Sequence, residues 1–261
     1  MTRHFPLTTK FLSYLSGGLF MRIFALGDPH LSLDKKGQIN KPMDIFGEHW
    51  KAHHEKIKQN WEAIITHEDV VLVPGDLSWA LKLEDASYDL EFLGGLPGMK
   101  ILIKGNHDLW WQSISKVRKN LPDKMYALQN DHIILPNNIA ICGTRGWICP
   151  GDKYFNTKED TKIYERELIR LRLSLDSIKG DVDEIIVMLH YPPTNGKHEM
   201  SGFVDILQQY KIKKCVYAHL HSDSINGAIS GIKWGINFYL VSADAIDFTP
   251  LLIESKRVVK S

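Results

Sequence analysis

Six short runs of aliphatic and β-branched residues, separated by longer amphipathic stretches, constrain this chain more than any other feature. The runs are Ile23–Leu26, Val70–Val73, Lys100–Ile103, Ile139–Cys142, Glu184–Leu189 and Lys214–Tyr217. They do not alternate apolar with polar. Nearly every position is apolar, which is the pattern of strands covered on both faces. Between them, residues 45–66, 83–93, 109–120, 157–178 and 202–210 carry helical periodicity, and Ser201 stands where an N-cap belongs. Strands and helices in alternation predict an α/β domain. Residues 224–253, rich in Gly, Ile and aromatics, predict several short antiparallel strands.

No internal repeat, low-complexity tract or long linker interrupts this pattern, so a single domain is expected over residues 21–261. Residues 1–20 are expected to form an N-terminal extension outside the fold. Their apolar stretch imitates a secretory signal, but it runs directly into Met21-Arg22-Ile23-Phe24 without a small-residue cleavage site. Met21 is the more natural beginning. Lys plus Arg (32) nearly balance Asp plus Glu (31), so no overall field favours a nucleic-acid backbone or a membrane surface. No apolar run reaches the roughly 18 residues that a membrane span needs. Three cysteines without CxxC spacing argue against a disulfide framework and against a thiolate zinc site, so a cytoplasmic protein is expected.

Chemistry-bearing residues gather immediately after the strand-like runs. Gly27-Asp28-Pro29-His30 follows the first, Gly75-Asp76 the second and Gly105-Asn106-His107-Asp108 the third, while His190 follows Leu189 and His219-Leu220-His221 follows Tyr217. In α/β sheets, ligands bind beyond the carboxyl ends of strands, where loops converge. Five such fragments in one cleft predict a two-metal hydrolytic site. Glycines 27, 75 and 105 are expected to let the backbone turn sharply before each ligand. In strands residues i and i+2 face the same side, so Asp28 and His30, or His219 and His221, are expected to reach one cleft together. Mixed nitrogen and oxygen donors without thiolate suit Mn, Fe, Zn or Co.

This set resembles the calcineurin-like metallophosphoesterase superfamily, whose pattern is DxH, GD, GNH(D/E), a lone His and GHxH. One departure is Ala218, in the place of the usual Gly before His219. The resemblance implies a four-layer α/β/β/α sandwich of two mixed β-sheets flanked by helices. It implies two divalent metal ions, one held by Asp28, His30 and His221 and the other by Asn106, His190 and His219, with Asp76 bridging. It further implies attack on phosphorus by a metal-bridging hydroxide, with His107 as the acid at the leaving oxygen and Asp108 supporting the catalytic site. The implied activity is hydrolysis of a phosphomonoester or phosphodiester on a small phosphorylated substrate. A nuclease or cyclic-nucleotide phosphodiesterase, and a non-catalytic scaffold, are the alternatives. The segment after Asp76 is Leu77-Ser78-Trp79, which lacks the Asp-Arg-Gly of protein Ser/Thr phosphatases and the tyrosine of purple acid phosphatases. The compact bacterial phosphohydrolases remain as the subgroup it resembles.

Other residues carry weaker signals. Arg145, flanked by Gly143 and Gly146 after a strand, is a candidate phosphate clamp, set against an ordinary salt bridge. Trp111, close behind His107, is the best aromatic candidate for substrate contact, although aromatics at this spacing usually pack in a core. His49, Trp50, His53 and His54 are read as part of an amphipathic helix rather than as a wall over the metals or a second metal pair. His4, His67 and His132 lack motif context.

Overall fold

The structure is a computed structural model and describes residues 20–257. Of the expected N-terminal extension, only Phe20 is among them, as the first residue of β1. Four parallel strands, β1 (Phe20–Ala25), β2 (Val70–Val73), β3 (Met99–Leu102) and β4 (Met125–Ala127), stand side by side in one sheet. The last strand, β11 (Leu251–Arg257), pairs antiparallel with β1 at its edge. The second sheet has the order β5-β6-β7-β8-β10-β9. Its parallel centre is β6 (Ile139–Thr144), β7 (Glu184–Leu189), β8 (Lys214–Tyr217) and β10 (Ile236–Leu240). β5 (Ile133–Ile134) and β9 (Gly231–Lys233) close its two edges antiparallel.

The apolar runs now have a physical reason. Along β1, Ile23 and Ala25 pack between the two sheets, against Ile141, Ile186 and Val216. Phe24 points the other way, into a cluster with Trp61 of α1 (His53–Ile64) and Leu90 of α2 (Leu83–Gly95). In β7, Ile186 and Met188 face the other sheet, whereas Val187 and Leu189 meet Leu171 of α4 (Thr157–Asp176) and Phe203 of α5 (Gly202–Gln209). Both faces of both sheets are covered, and the result is the expected four-layer sandwich. Each fully buried aliphatic or aromatic side chain contributes about 1.5 to 3 kcal/mol.

Three expectations need correction. The helix expected over 45–66 is broken into two 3-10 turns, Asp44–Phe46 and Glu48–Trp50, and α1 begins only at His53. Gly47 at φ 133 and Ala52 at φ 52 leave the helical region and stop the run twice. The helix expected over 109–120 starts at Ile114, as α3 (Ile114–Asn120), because the preceding residues are held as a turn on Asp108. In the tail, β10 lies parallel to β8, so residues 218–235 form a crossover and the tail is not an antiparallel meander. Ser201 caps α5 as expected, accepting the Val204 N–H at 3.2 Å.

Candidate metal centre

The loops that leave β1, β2, β3, β7 and β8 meet at one edge of the sandwich, and they bring every expected ligand together. Asp28, His30 and His221 form one group, and Asp76, His190 and His219 form another. Within each group the donor atoms lie within 4.8 Å of one another. Asn106 joins the second group through Oδ1, 2.7 Å from His190 Nε2. Asp76 stands between the groups. Its Oδ2 is 3.9 Å from His30 Nε2 and 3.5 Å from His190 Nε2.

The backbone does not deliver these residues in extended form. Asp28 (φ 53), His30 (φ 43), Asp76 (φ 51) and His219 (φ 74) all occupy the left-handed region, so same-side alternation along a strand is not what aims them. Such conformations cost about 1 to 3 kcal/mol each and persist only where surrounding contacts over-determine them. Those contacts are visible. Asp28 N–H donates to the Gly75 carbonyl and His30 N–H to the Asp76 carbonyl, both at 3.0 Å, and His219 N–H donates to Asp28 Oδ2 at 2.7 Å.

Two glycines serve close approach rather than turning. A Cβ on Gly105 would lie 2.1 Å from Asp76 Oδ1, so only glycine lets that carboxylate into the site. A Cβ on Gly27 would lie 2.6 Å from the Ala218 Cβ, so the methyl at the departing position is accommodated by the glycine opposite.

The donor chemistry fits cations. His190 Nδ1 donates to the Pro74 carbonyl at 3.0 Å, which leaves Nε2 with its lone pair turned toward Asn106 Oδ1 and His219 Nδ1. His30 Nε2 faces His221 Nε2 at 3.3 Å. The buried Asp28 Oδ1 has no hydrogen-bond partner. The His190 Nε2 lone pair against Asn106 Oδ1, and the unpartnered Asp28 Oδ1, are unfavourable in a buried centre unless a cation lies beside them. Burial holds the His30 pKa well below its ordinary value, and lowers those of His190 to about 3 and His219 to about 2, so these rings are neutral donors at neutral pH. Burial also raises the carboxyl pKa of Asp28 to about 7 and that of Asp76 to about 6.

His221 behaves differently. Burial works to lower its pKa, but Asp28, Asp244 and Asp76 together raise it to about 9. Asp244 accepts from His221 Nδ1 at 2.7 Å and so turns Nε2 toward the cleft. Without metal this ring is protonated at neutral pH, and the stability it contributes is complete below its ordinary pKa of 6.5 and lost as the pH rises through about 9. A metal must displace that proton. Uptake of Mn by chelator-treated protein is therefore expected to tighten over this window and to release protons. Calorimetry in buffers of different ionisation enthalpy measures both, and pH-independent uptake would remove His221 from the ligand set.

His107 is exposed on the cleft. Its N–H donates to Asp76 Oδ1 at 2.7 Å, and its ring lies 4.5 Å from that of Trp79. Asp108, expected beside it as a catalytic residue, is instead wholly buried beneath the loops. It accepts N–H groups from Asp76, Leu77, Ser78 and Gly105 and from the Trp110 indole, and so it positions two motif loops without reaching the cleft. Burial and the nearby Asp76 raise its pKa to about 6 in spite of these donors.

Trp111 also needs correction, because it is 7% exposed and packs in the helix-side core next to Trp110. Met43, Phe46, Trp50 and Trp79 are the residues that wall the cleft, a cavity of about 190 Å³ open to His30, Asp76, His107, His219 and His221. Trp79 stacks on His30 at 4.8 Å, and the Lys41 ammonium lies 3.3 Å above the Trp79 ring centre. The segment before α1 is thus a wall in part, against the reading of an ordinary helix. His53 reaches the His30 carbonyl at 3.3 Å. Arg145 lies outside this cleft and faces Glu167 and Trp147.

The model of the calcineurin-like phosphoesterase family matches residues 21–223, which contain every residue of both donor groups. No curated protein matches. Among solved structures, the phosphopantetheinyl hydrolase PptH from Mycobacterium tuberculosis is 14% identical, with a TM-score of 0.55, covering 89% of this chain and 93% of that one. A protein of unknown function, AQ665 from Aquifex aeolicus, is 15% identical with a TM-score of 0.47, covering 89% of this chain and 95% of that one. The protein TT1561 of Thermus thermophilus is 12% identical with a TM-score of 0.48, covering 93% of this chain and 100% of that one. At such identities PptH speaks for the fold alone, and the family rests on the match across the donor loops. With that match over most of its length, the chain belongs to the calcineurin-like phosphoesterase family and is a metal-dependent phosphoester hydrolase.

Proposed function

We propose that this hydrolase works with two divalent cations and acts on a small phosphorylated compound. The observation that carries this reading is the place of Asp76 Oδ2 between His30 and His190, which supports a carboxylate shared by two cations. Asp28, His30 and His221 would hold one ion, and Asn106, His190 and His219 the other. When bound, the ions supply Lewis acidity that acidifies water and neutralises charge on the phosphoryl oxygens. Manganese, iron and zinc all suit this donor set.

The remaining work falls to the chain's own side chains. The His107 ring stands over the cleft, held by Trp79 and by its own N–H bond to Asp76, in a position to deliver a proton to the leaving oxygen. The wall of Met43, Phe46, Trp50 and Trp79 offers an apolar surface to the organic part of the substrate. No helix among the described residues is long and apolar enough to cross a membrane. Cys142, Cys149 and Cys215 are free and buried, which fits a cytoplasmic setting.

The test is a panel of phosphate mono- and diesters given to chelator-treated protein reconstituted with Mn, Fe or Zn. It includes 4-nitrophenyl phosphate, bis(4-nitrophenyl) phosphate and a phosphopantetheinyl ester, since the M. tuberculosis neighbour is described as a phosphopantetheinyl hydrolase. Metal-dependent turnover is expected on at least one ester. Turnover of diesters alone would favour the nuclease or phosphodiesterase alternative. No turnover with any metal would sink the enzymatic reading in favour of a scaffold.

A further inference from the structure

Next to the metal centre, at the same carboxyl edge of the sheets, a second cavity of about 230 Å³ opens between the ends of β3, β4 and β6 and the outer helix α4. Four cationic side chains line it, Lys104, Arg145, Arg166 and Arg170, and among the described residues no acidic one does. We propose that this cavity is an anion subsite that holds a second phosphate group of the substrate, separate from the phosphate hydrolysed at the metals. The proposal rests on the phosphoesterase reading for its substrate, but the site itself is argued from charge and geometry.

The guanidinium groups are arranged by one carboxylate. Glu167 of α4 is wholly buried, and its Oε2 accepts the Thr144 hydroxyl at 2.6 Å. Its Oε1 lies 2.9 Å from Arg170 Nη1, 3.5 Å from Arg145 Nη2 and 3.7 Å from Arg166 Nε. Glu167 thereby gathers three guanidiniums at one point, yet it neutralises a single charge out of four. The positive charge left over on these side chains attracts an entering dianion.

Two donors are also left over. Arg145 Nε is buried with no hydrogen-bond partner. The Lys104 ammonium makes no hydrogen bond among the described residues. A phosphate group has the charge and the oxygens to satisfy both, and planar guanidiniums match it in two-point fashion.

The cavity is joined to the metal site through the backbone. The Arg145 carbonyl accepts N–H groups from His190 and Tyr191, at 3.0 and 2.9 Å, and Lys104 immediately precedes Gly105-Asn106. A substrate carrying two phosphates could therefore set one at the metals and the other beside Arg145. The class this selects is an organic bisphosphate, such as a nucleoside or sugar with phosphates on two different hydroxyls. Free inorganic phosphate shares the chemistry and is the other source the experiment must separate.

Calorimetric titration of chelator-treated, full-length protein with inorganic phosphate tests the site without any turnover. Wild type is expected to bind, and the Arg166→Gln/Arg170→Gln double variant to bind about 10- to 100-fold more weakly. Equal binding by both, or none by wild type, overturns the subsite whatever the protein hydrolyses, so this failure is distinct from failure of the phosphoesterase reading. Should the double variant lose its thermal transition, Lys104→Gln gives the same comparison. With metal-loaded protein, a nucleoside 3′,5′-bisphosphate is then compared with the matching nucleoside 5′-monophosphate. A rise of about 10-fold in the KM ratio in the variant assigns the cavity to the substrate's second phosphate. An unchanged ratio overturns that assignment and leaves free phosphate as the occupant.

Discussion

Asp76→Asn is expected to lower metal-dependent kcat/KM by at least about 10³-fold and to reduce the metal bound per chain. Groups that merely orient a metal ligand already contribute about 10- to 100-fold, and Asp76 stands nearer than that, with Oδ2 within 4 Å of a histidine from each donor group. The amide keeps the size and shape of the carboxylate, so the fold should persist. What it loses is the negative charge that two cations would share, and its NH2 would direct hydrogens at one of them. Oδ1 also matters, because it accepts the His107 N–H and lies where only glycine at 105 leaves room. His107→Ala separates the two roles. Metal content is expected to stay unchanged while kcat falls about 10²- to 10⁴-fold, the usual range for a positioned proton donor. Metal analysis by atomic emission, run beside the kinetics, distinguishes these variants. Full activity in Asp76→Asn would end the assignment of a shared carboxylate.

The site is more legible in the sequence than the fold around it, and the reason is topological. Each expected ligand follows a parallel strand recognisable by its apolar run, so reading past the end of each run finds the donors. Asp244 escapes that rule because the run before it, Ile236–Leu240, lies in a Gly- and aromatic-rich tail that reads as antiparallel hairpins. In the structure β10 pairs parallel with β8 and ends at the same edge. Asp244 then meets His221 as any residue beyond a parallel strand would. The left-handed backbone at Asp28, His30, Asp76 and His219 is also hidden, since none of these is glycine and most Asp and His residues keep a negative φ. Tertiary hydrogen bonds impose it, and no window of sequence contains both partners. Gly47 and Ala52, both at positive φ, split the expected first helix, and the freed segment supplies Phe46 and Trp50 to the cleft. Trp111 illustrates the converse: proximity in sequence to His107 does not bring it to the site, because the turn on Asp108 directs both Trp110 and Trp111 inward.

That turn leads to the largest expected effect on stability. Asp108→Ala is expected to destabilise the metal-free protein by about 3 to 5 kcal/mol, because a buried hydrogen-bonded charge is removed and its donors are left behind. The donors are the N–H groups of Asp76 and Gly105 on Oδ2, and those of Leu77 and Ser78 with the Trp110 indole on Oδ1, all between 2.8 and 3.2 Å. Their separate costs do not simply add, since water entering the vacated space recovers part of the loss. For a chain of this size the fall in Tm should be roughly 10 °C, readable by circular dichroism. Asp108→Asn should lie between, because its amide NH2 is forced against N–H donors at one of the two oxygen positions. Both variants should also bind metal more weakly, since the loops that Asp108 ties carry Asp76 on one side and Asn106 on the other. The alternative is that Asp108 assists His107 in moving a proton. In that case Asp108→Asn would alter the pH profile of kcat while leaving Tm and metal affinity as they are. The geometry favours the first outcome, because every oxygen lone pair described at Asp108 is turned to the two loops and none to the His107 ring.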